Sequence, residues 1–253
     1  MPNVLVETKD RTTILTLNRP ERRNALTIEL MTELTDAIER AAGESSQRVL
    51  ILRGAGKAFC AGLDLNETTI TERAHHSAET IAKMLLALSQ TRLITIAQVH
   101  GAAVAGGAGI MSACDFVVAA ARTKIGYPEA KRGLVAGLVM TFLRRQLRER
   151  DLRELLFTGD LITADRAREI GLVNHVVAPN ELENEVEKLV SAILQNAPGA
   201  LASSKRLLEE LWSTSVKEDL DCALRHHLEA RESSEAKEGI AAYLEKRPPN
   251  WIS

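Results

Sequence analysis

The chain has 253 residues, with 32 Lys and Arg against 34 Asp and Glu and a formal net charge of -2, which excludes a strongly basic nucleic-acid binder and a strongly acidic disordered tail. Hydrophobic residues make up 45% and aromatics 3%, so a sizeable core is available, it is aliphatic and Ala-rich, and base stacking on aromatic platforms is not expected. No apolar stretch reaches the roughly 18 residues of a membrane span, the start MPNVLVETKD lacks a basic segment followed by an apolar run, and Cys60, Cys114 and Cys222 are spaced neither for a disulfide framework nor for a metal, so the expectation is a cytoplasmic protein with no metal.

In chain order, VLVETKD and Thr12 to Asn18 read as a pair of strands turning around Asp10, closed by the Asn18-Arg19-Pro20 turn. Thr27 to Ala42 reads as a helix, with Thr27 as N-cap, Glu29 in the first turn, and Leu30, Leu34 and Ile38 on one face. Val49 to Gly54, Ile94 to Gly101 and Phe116 to Ala120 are short, wholly apolar strands, the pattern of a sheet covered by helices on both faces. Residues 66–79 are polar without apolar periodicity and read as a mobile loop. Thr163 caps a short helix that Gly171 ends, and LVNHVV returns as a strand. Beyond Pro179 every segment reads as helix. The division is an α/β core over 1–196 and a helical region over 197–253, broken near Asn196-Ala197-Pro198-Gly199.

Two glycine-bearing turns follow apolar strands: Lys57 to Leu65 (KAFCAGLDL) and His100 to Asp115 (HGAAVAGGAGIMSACD). Each runs into an apparent helix start, where unpaired N–H groups and partial positive charge gather. Side by side they can aim one N–H each at a single oxygen, the recipe for an oxyanion hole. By spacing alone, glycines that merely permit tight turns and helix packing are the commoner case. The run fits neither a dinucleotide nor a P-loop fingerprint. Within Lys124 to Gly137, Glu129 follows Pro128 in a small, apolar neighbourhood. Burial would raise its pKa and suit it to proton transfer near neutrality; a glutamate facing water at a helix start is the plainer reading.

Taken together, these segments resemble the enoyl-CoA hydratase/isomerase family, the crotonase superfamily. NRPERRNAL (Asn18 to Leu26), KAFCAGLDL, HGAAVAGGAGIMSACDFVVA, GYPEAKRGLVAG, LLFTGDLITADRAREIGLVNHVV and the tail EGIAAYLEKRPPNW follow in the family's order. The resemblance implies an α/β, crotonase-like spiral of repeated ββα units with a C-terminal helical trimerisation region, assembled as a homotrimer or dimer of trimers. It implies no cofactor beyond the coenzyme A of an acyl-CoA substrate.

Carried over residue by residue, the resemblance puts the two oxyanion-hole N–H groups at Leu63 and Gly106. Of the two glutamates that hydratases of the family commonly use, one is retained as Glu129 and the other falls on Gly109, which has no functional group. Two carboxylates divide the work of adding water. A single one suffices to take a proton from one carbon and return it to another, so Gly109 tilts the expectation towards double-bond isomerisation. Relatives of the methylglutaconyl-CoA hydratases also lack the first glutamate, and their run is similar to HGAAVAGGAG, so hydration remains the alternative. Gly137 matches a family glycine whose N–H holds the reacting water. The resemblance also lays coenzyme A along Arg22, Ala25, Ala61 and Asp64, with Arg22 or Arg23 on phosphate and with Tyr243 and Lys246 reaching the nucleotide. Val135, Leu138 and Phe142 are expected to pack the acyl pocket.

Plainer readings stand beside these. Asp64 and Asp115 order their turns, Cys60 is a small core residue, Lys246 is one more exposed lysine, and His75 and His76 are solvated, although Glu67, Glu72 or one of these histidines could enter the pocket from the loop. FLRRQLRERDLR has five arginines interleaved with acids. A salt-bridged surface helix is expected there rather than an RNA-binding face. An inactive scaffold is the remaining non-enzyme alternative, opposed by Glu129 and both glycine turns.

Overall fold

The computed structural model describes residues 2–68 and 71–252. β1 (Val4–Lys9) and β2 (Thr12–Leu17) form an antiparallel hairpin through Asp10, whose φ of 53° makes the turn. α1 (Ile28–Gly43) then crosses to β3 (Val49–Gly54), which lies parallel to β2. The Thr27 side chain accepts from Leu30 N, as its N-cap reading requires.

The chain then repeats one unit. α2 (Thr71–Gln90) returns to β4 (Ile94–Val99), followed by β5 (Ala102–Val104) and α3 (Gly106–Ser112). Next come β6 (Phe116–Ala120), β7 (Lys124–Gly126) and α4 (Gly137–Gln146). The first strand of each unit extends the large sheet, in the order β1-β2-β3-β4-β6-β9, and the second strand extends a small sheet, β5-β7-β8. Cys60 bridges Ala103 in parallel, so the segment after β3 takes the small-sheet place in the unit before β5. α5 (Glu149–Thr158), β8 (Ile162–Thr163), α6 (Ala164–Glu169) and β9 (His175–Val177) complete the core. Thr163 caps α6 by accepting from Arg166 N, and Gly171 follows with a φ of +96°. α7 (Leu182–Leu194), α8 (Pro198–Glu210), α9 (Val216–Glu232) and α10 (Ser234–Glu245) follow.

The sheet is buried on both faces. One face carries Leu15, Leu50, Leu52 and Ala97 against α1, α2 and α3; the other carries Val49, Ile96 and Val118 against Leu182, Val186 and Ile193 of α7. Val216 and Leu220 of α9 belong to the first of these clusters, so the C-terminal region shares the interior of the core. α9 packs along α4 and α2.

One expectation is corrected here. The mobile-loop reading of residues 66–79 does not hold for the described residues, residues 69 and 70 lying outside them: Leu65–Thr68 is a 3-10 turn and α2 already begins at Thr71. The first turns of α2 bury Ala74, Ser77 and Ala78. Such small residues cover core while looking polar in a hydropathy pattern. Four of the five arginines behind the RNA-binding alternative are held in ion pairs. Arg153 pairs with Glu149, Arg148 with Asp151, and Arg144 and Arg145 with Asp219.

Candidate active site

Three segments build one cleft of about 320 Å³: the stretch after β3, the β5–α3 junction, and the turn after β7. In the first, Leu26 N donates to Gly62 O at 2.8 Å and Asp64 N donates to Leu26 O at 2.9 Å. These bonds pin both neighbours of Leu63, and its own N–H has no acceptor among the described residues. In the second, Ala105 N donates to Gly126 O at 2.9 Å and Ala105 adopts φ 51°, ψ -125°, a strained conformation for a residue with a Cβ. Gly106 is the first residue of α3, so its N–H has no partner inside the helix. The two amides border the same space: a Cβ built on Gly106 would lie 3.8 Å from Leu63 N. Both residues line the cleft.

The third segment places Glu129. Pro128 opens a 3-10 turn, Pro128–Arg132, which Gly133 closes in the left-handed conformation. Tyr127, fully buried, anchors the turn by a 2.8 Å hydrogen bond to Ser112 Oγ of α3. Glu129 is only 9% exposed, its Oε2 has no hydrogen-bond partner among the described residues, and it lines the cleft with Leu63 and Gly106. Burial pushes its carboxyl up to about 7, opposed by a backbone hydrogen bond and the Arg132 charge. Such a group is poised to take and return protons near neutrality.

Gly137, the first residue of α4, is on the cleft wall, and a Cβ there would meet Ala223 O of α9 at 2.9 Å; only glycine lets the two helices approach so closely. Arg22, Arg23, Ala25, Ala61 and Asp64 also line the cleft, as does Tyr243 of α10. Tyr243 stacks on Arg132, whose guanidinium carbon lies 4.3 Å from the ring centre. Asp64 pairs with Arg19 at 3.4 Å.

Some expected residues lie elsewhere. Gly109 is buried in α3 beneath Val139 and offers nothing to the cleft, while Val139 is on the wall. Phe142 is core rather than acyl-pocket lining, since it sits more than a turn into α4; Val135 and Leu138 do line the cleft. Lys246 caps α10 with a φ of 56° and is not on the wall. Glu67 accepts from Ile28 N at 3.0 Å and so caps α1; His75 meets Glu232 at 3.0 Å; His76 is exposed. The side chain of Glu72 lies outside the described residues. Asp115 accepts from Thr95 N and from Lys205, a structural role. Burial pushes the Cys60 thiol up to about 12, so it packs and does not attack.

Sequence reasoning missed Arg132, Leu134, His227 and Arg231 on the wall. The signal for the last two was their spacing of four, in register with Val216, Leu220 and Ala223 of α9.

Comparison with known proteins agrees with this architecture. The family model for enoyl-CoA hydratase/isomerase matches residues 7–253. The chain is 34% identical over 262 residues to the crotonyl-CoA hydratase of Syntrophomonas wolfei, covering 99% of this chain and 98% of that one. It is 35% identical over 257 residues to the enoyl-CoA hydratase EchA19 of Mycobacterium tuberculosis, covering 99% and 96%. A crystal structure of an enoyl-CoA hydratase from Mycobacterium avium aligns with a TM-score of 0.86 at 33% identity over 98% of both chains. The chain belongs to the enoyl-CoA hydratase/isomerase family, the crotonase superfamily, and its ββα repeat is the crotonase fold. It is an enzyme of that family.

Proposed function

We propose that the cleft binds an enoyl-CoA thioester, holds its carbonyl oxygen between Leu63 N–H and Gly106 N–H, and moves one proton with Glu129. The observation that carries this is the buried Oε2 of Glu129, in the same cleft as two amides, all three without partners among the described residues. For a 3-enoyl thioester the Glu129 carboxylate removes a proton from C2. The electron pair shifts through the carbonyl carbon onto oxygen, where two N–H donors stabilise the dienolate, each by about 3 kcal/mol. The protonated Glu129 then delivers the proton to C4, the electrons return, and the double bond lies between C2 and C3. One acid completes the cycle, and among the described residues of the wall Glu129 is the only buried one.

Hydration is the second reading, favoured by the Gly137 N–H, which has no acceptor among the described residues and can hold a water beside Glu129, and by the names of the relatives. Arg22 and Arg23, exposed on the cleft wall, suit coenzyme A phosphates. The exposed apolar side chains of Leu207 and Leu208 in α8 and of Leu211 just after it suit burial against further copies of the chain, in line with a homotrimer or dimer of trimers. Purified protein offered a 3-enoyl-CoA and, separately, a 2-enoyl-CoA decides the reaction. Migration of the double bond in the first supports isomerisation; fast water addition to the second without migration in the first replaces it by hydration.

A further inference from the structure

The buried stripe of α9 runs Val216, Leu220, Ala223, Leu224 and then, at the same spacing, His227 and Arg231. Both polar residues are 7% exposed, and both line the cleft. His227 Nδ1 lies 3.1 Å from Val135 O, so Nδ1 carries the proton and donates, while Nε2 is buried without a partner. Burial pulls the ring's pKa down, so His227 is neutral and adds no charge. Arg231 has no hydrogen-bond or ion-pair partner among the described residues, and its Nε and Nη2 are sealed from solvent.

A leucine or methionine would complete this stripe without penalty. A buried cation with no counter-ion destabilises the empty protein, and the loss is recovered only when an anion with good geometry arrives. A guanidinium nitrogen that stays open forms a charge-assisted hydrogen bond to a carboxylate oxygen. The phosphates of coenzyme A are multiply charged and strongly hydrated, and they have exposed cations on the cleft wall in Arg22 and Arg23. A nearly buried guanidinium that still borders the cleft, on the helix that covers it, suits a monoanion carried in on a desolvated chain.

We propose that the acyl group taken by this enzyme ends in a carboxylate and that Arg231 receives it, which makes Arg231 a determinant of substrate specificity. The proposal rests on the acyl-CoA reading of the cleft and adds to it the substrate's chemical class.

Titration calorimetry on the full chain tests it with saturated, non-reacting thioesters matched in length: succinyl-, glutaryl- and adipyl-CoA against butyryl-, pentanoyl- and hexanoyl-CoA, with free coenzyme A as reference. At one length or more, the carboxylate-ended thioester binds at least about tenfold more tightly than its neutral partner. Arg231→Met abolishes that preference and leaves the affinities for coenzyme A and the neutral thioesters within about twofold, while Arg231→Lys keeps part of it. Equal affinities at every length in the unaltered protein overturn the proposal, whether or not the variants fold. Equal weakening of all ligands by Arg231→Met also overturns it, since Arg231 would then serve coenzyme A or the fold. Turnover of the matching 2- and 3-enoyl thioesters separates the two readings. A carboxylate preference in binding with no turnover defeats the proposed reaction alone, and turnover of neutral substrates with equal affinities defeats the role of Arg231 alone.

Discussion

Val139 fills the space into which a side chain on Gly109 would grow: a Cβ built on Gly109 collides with Val139 Cγ1, and Val139 faces the cleft. The family's second glutamate is thus missing in sequence and its room is taken in space. Gly109→Glu by itself overpacks the α3–α4 contact and lowers stability by about 1–3 kcal/mol with no gain in hydration. Adding Val139→Gly opens the room, and water addition to a 2-enoyl-CoA rises at least ~10-fold over the parent. Melting curves and hydration rates of both variants check this. A single Gly109→Glu variant that is fully stable and hydrates faster would show that Val139 does not stand in the way.

Glu129 governs two pH dependences of known sign. As a base it must be ionised, so kcat/KM rises as pH climbs through about 7. For stability, the folded carboxyl titrates near 7 and the unfolded one near the ordinary glutamate value of 4.5, so the folded state holds the extra proton between them. The contribution is therefore full below about 4.5 and is lost as pH rises through about 7. Glu129→Gln removes this slope and lowers turnover ~10²–10⁴-fold. Denaturation midpoints from pH 4 to 9 and rate profiles supply the check; parallel stability profiles for the two proteins contradict it.

The Gly106 amide can be deleted without breaking α3, because proline is tolerated at a first helical position and carries no N–H. A Cβ there lies 3.1 and 3.2 Å from the terminal methyls of Ile81 and Leu26, flexible ends that give way. Gly106→Pro lowers kcat ~10²–10³-fold, with a smaller effect on KM. Steady-state kinetics alongside circular dichroism measure it, and an unchanged kcat in a folded variant removes this amide from the reaction.

Arg145 of α4 joins the two helices that follow the core: it meets Glu209 of α8 at 2.6 Å and Asp219 of α9 at 2.9 Å, with its side chain 10% exposed. Arg145→Met leaves two half-buried acids without this cation and destabilises the chain by about 2–4 kcal/mol. Urea titration reads the loss. The covering helix α9 is loosened as well, so KM for an acyl-CoA rises in the same variant.

Local chemistry was legible in the sequence where it is decided locally. The Thr27 and Thr163 caps, the Asp10 hairpin and the apolar strands follow from side-chain reach and backbone preference, and all stand in the fold. The spiral did not follow from periodicity, because the step from one sheet to the other at Cys60 and Ala103 is a tertiary contact. Its signal came through resemblance. The start of α2 was lost because Ala74 and Ala78 bury core with little hydropathy. His227 and Arg231 were lost because polar residues on a buried stripe look like an interruption until the cleft behind them is seen.

The order of parts along the chain has a consequence for synthesis. The amides of Leu63 and Gly106 and the acid at Glu129 are synthesised before α9, which covers them. A polypeptide that stops short of α9 therefore exposes an uncovered groove, and ligand capture waits until that helix is made and packed.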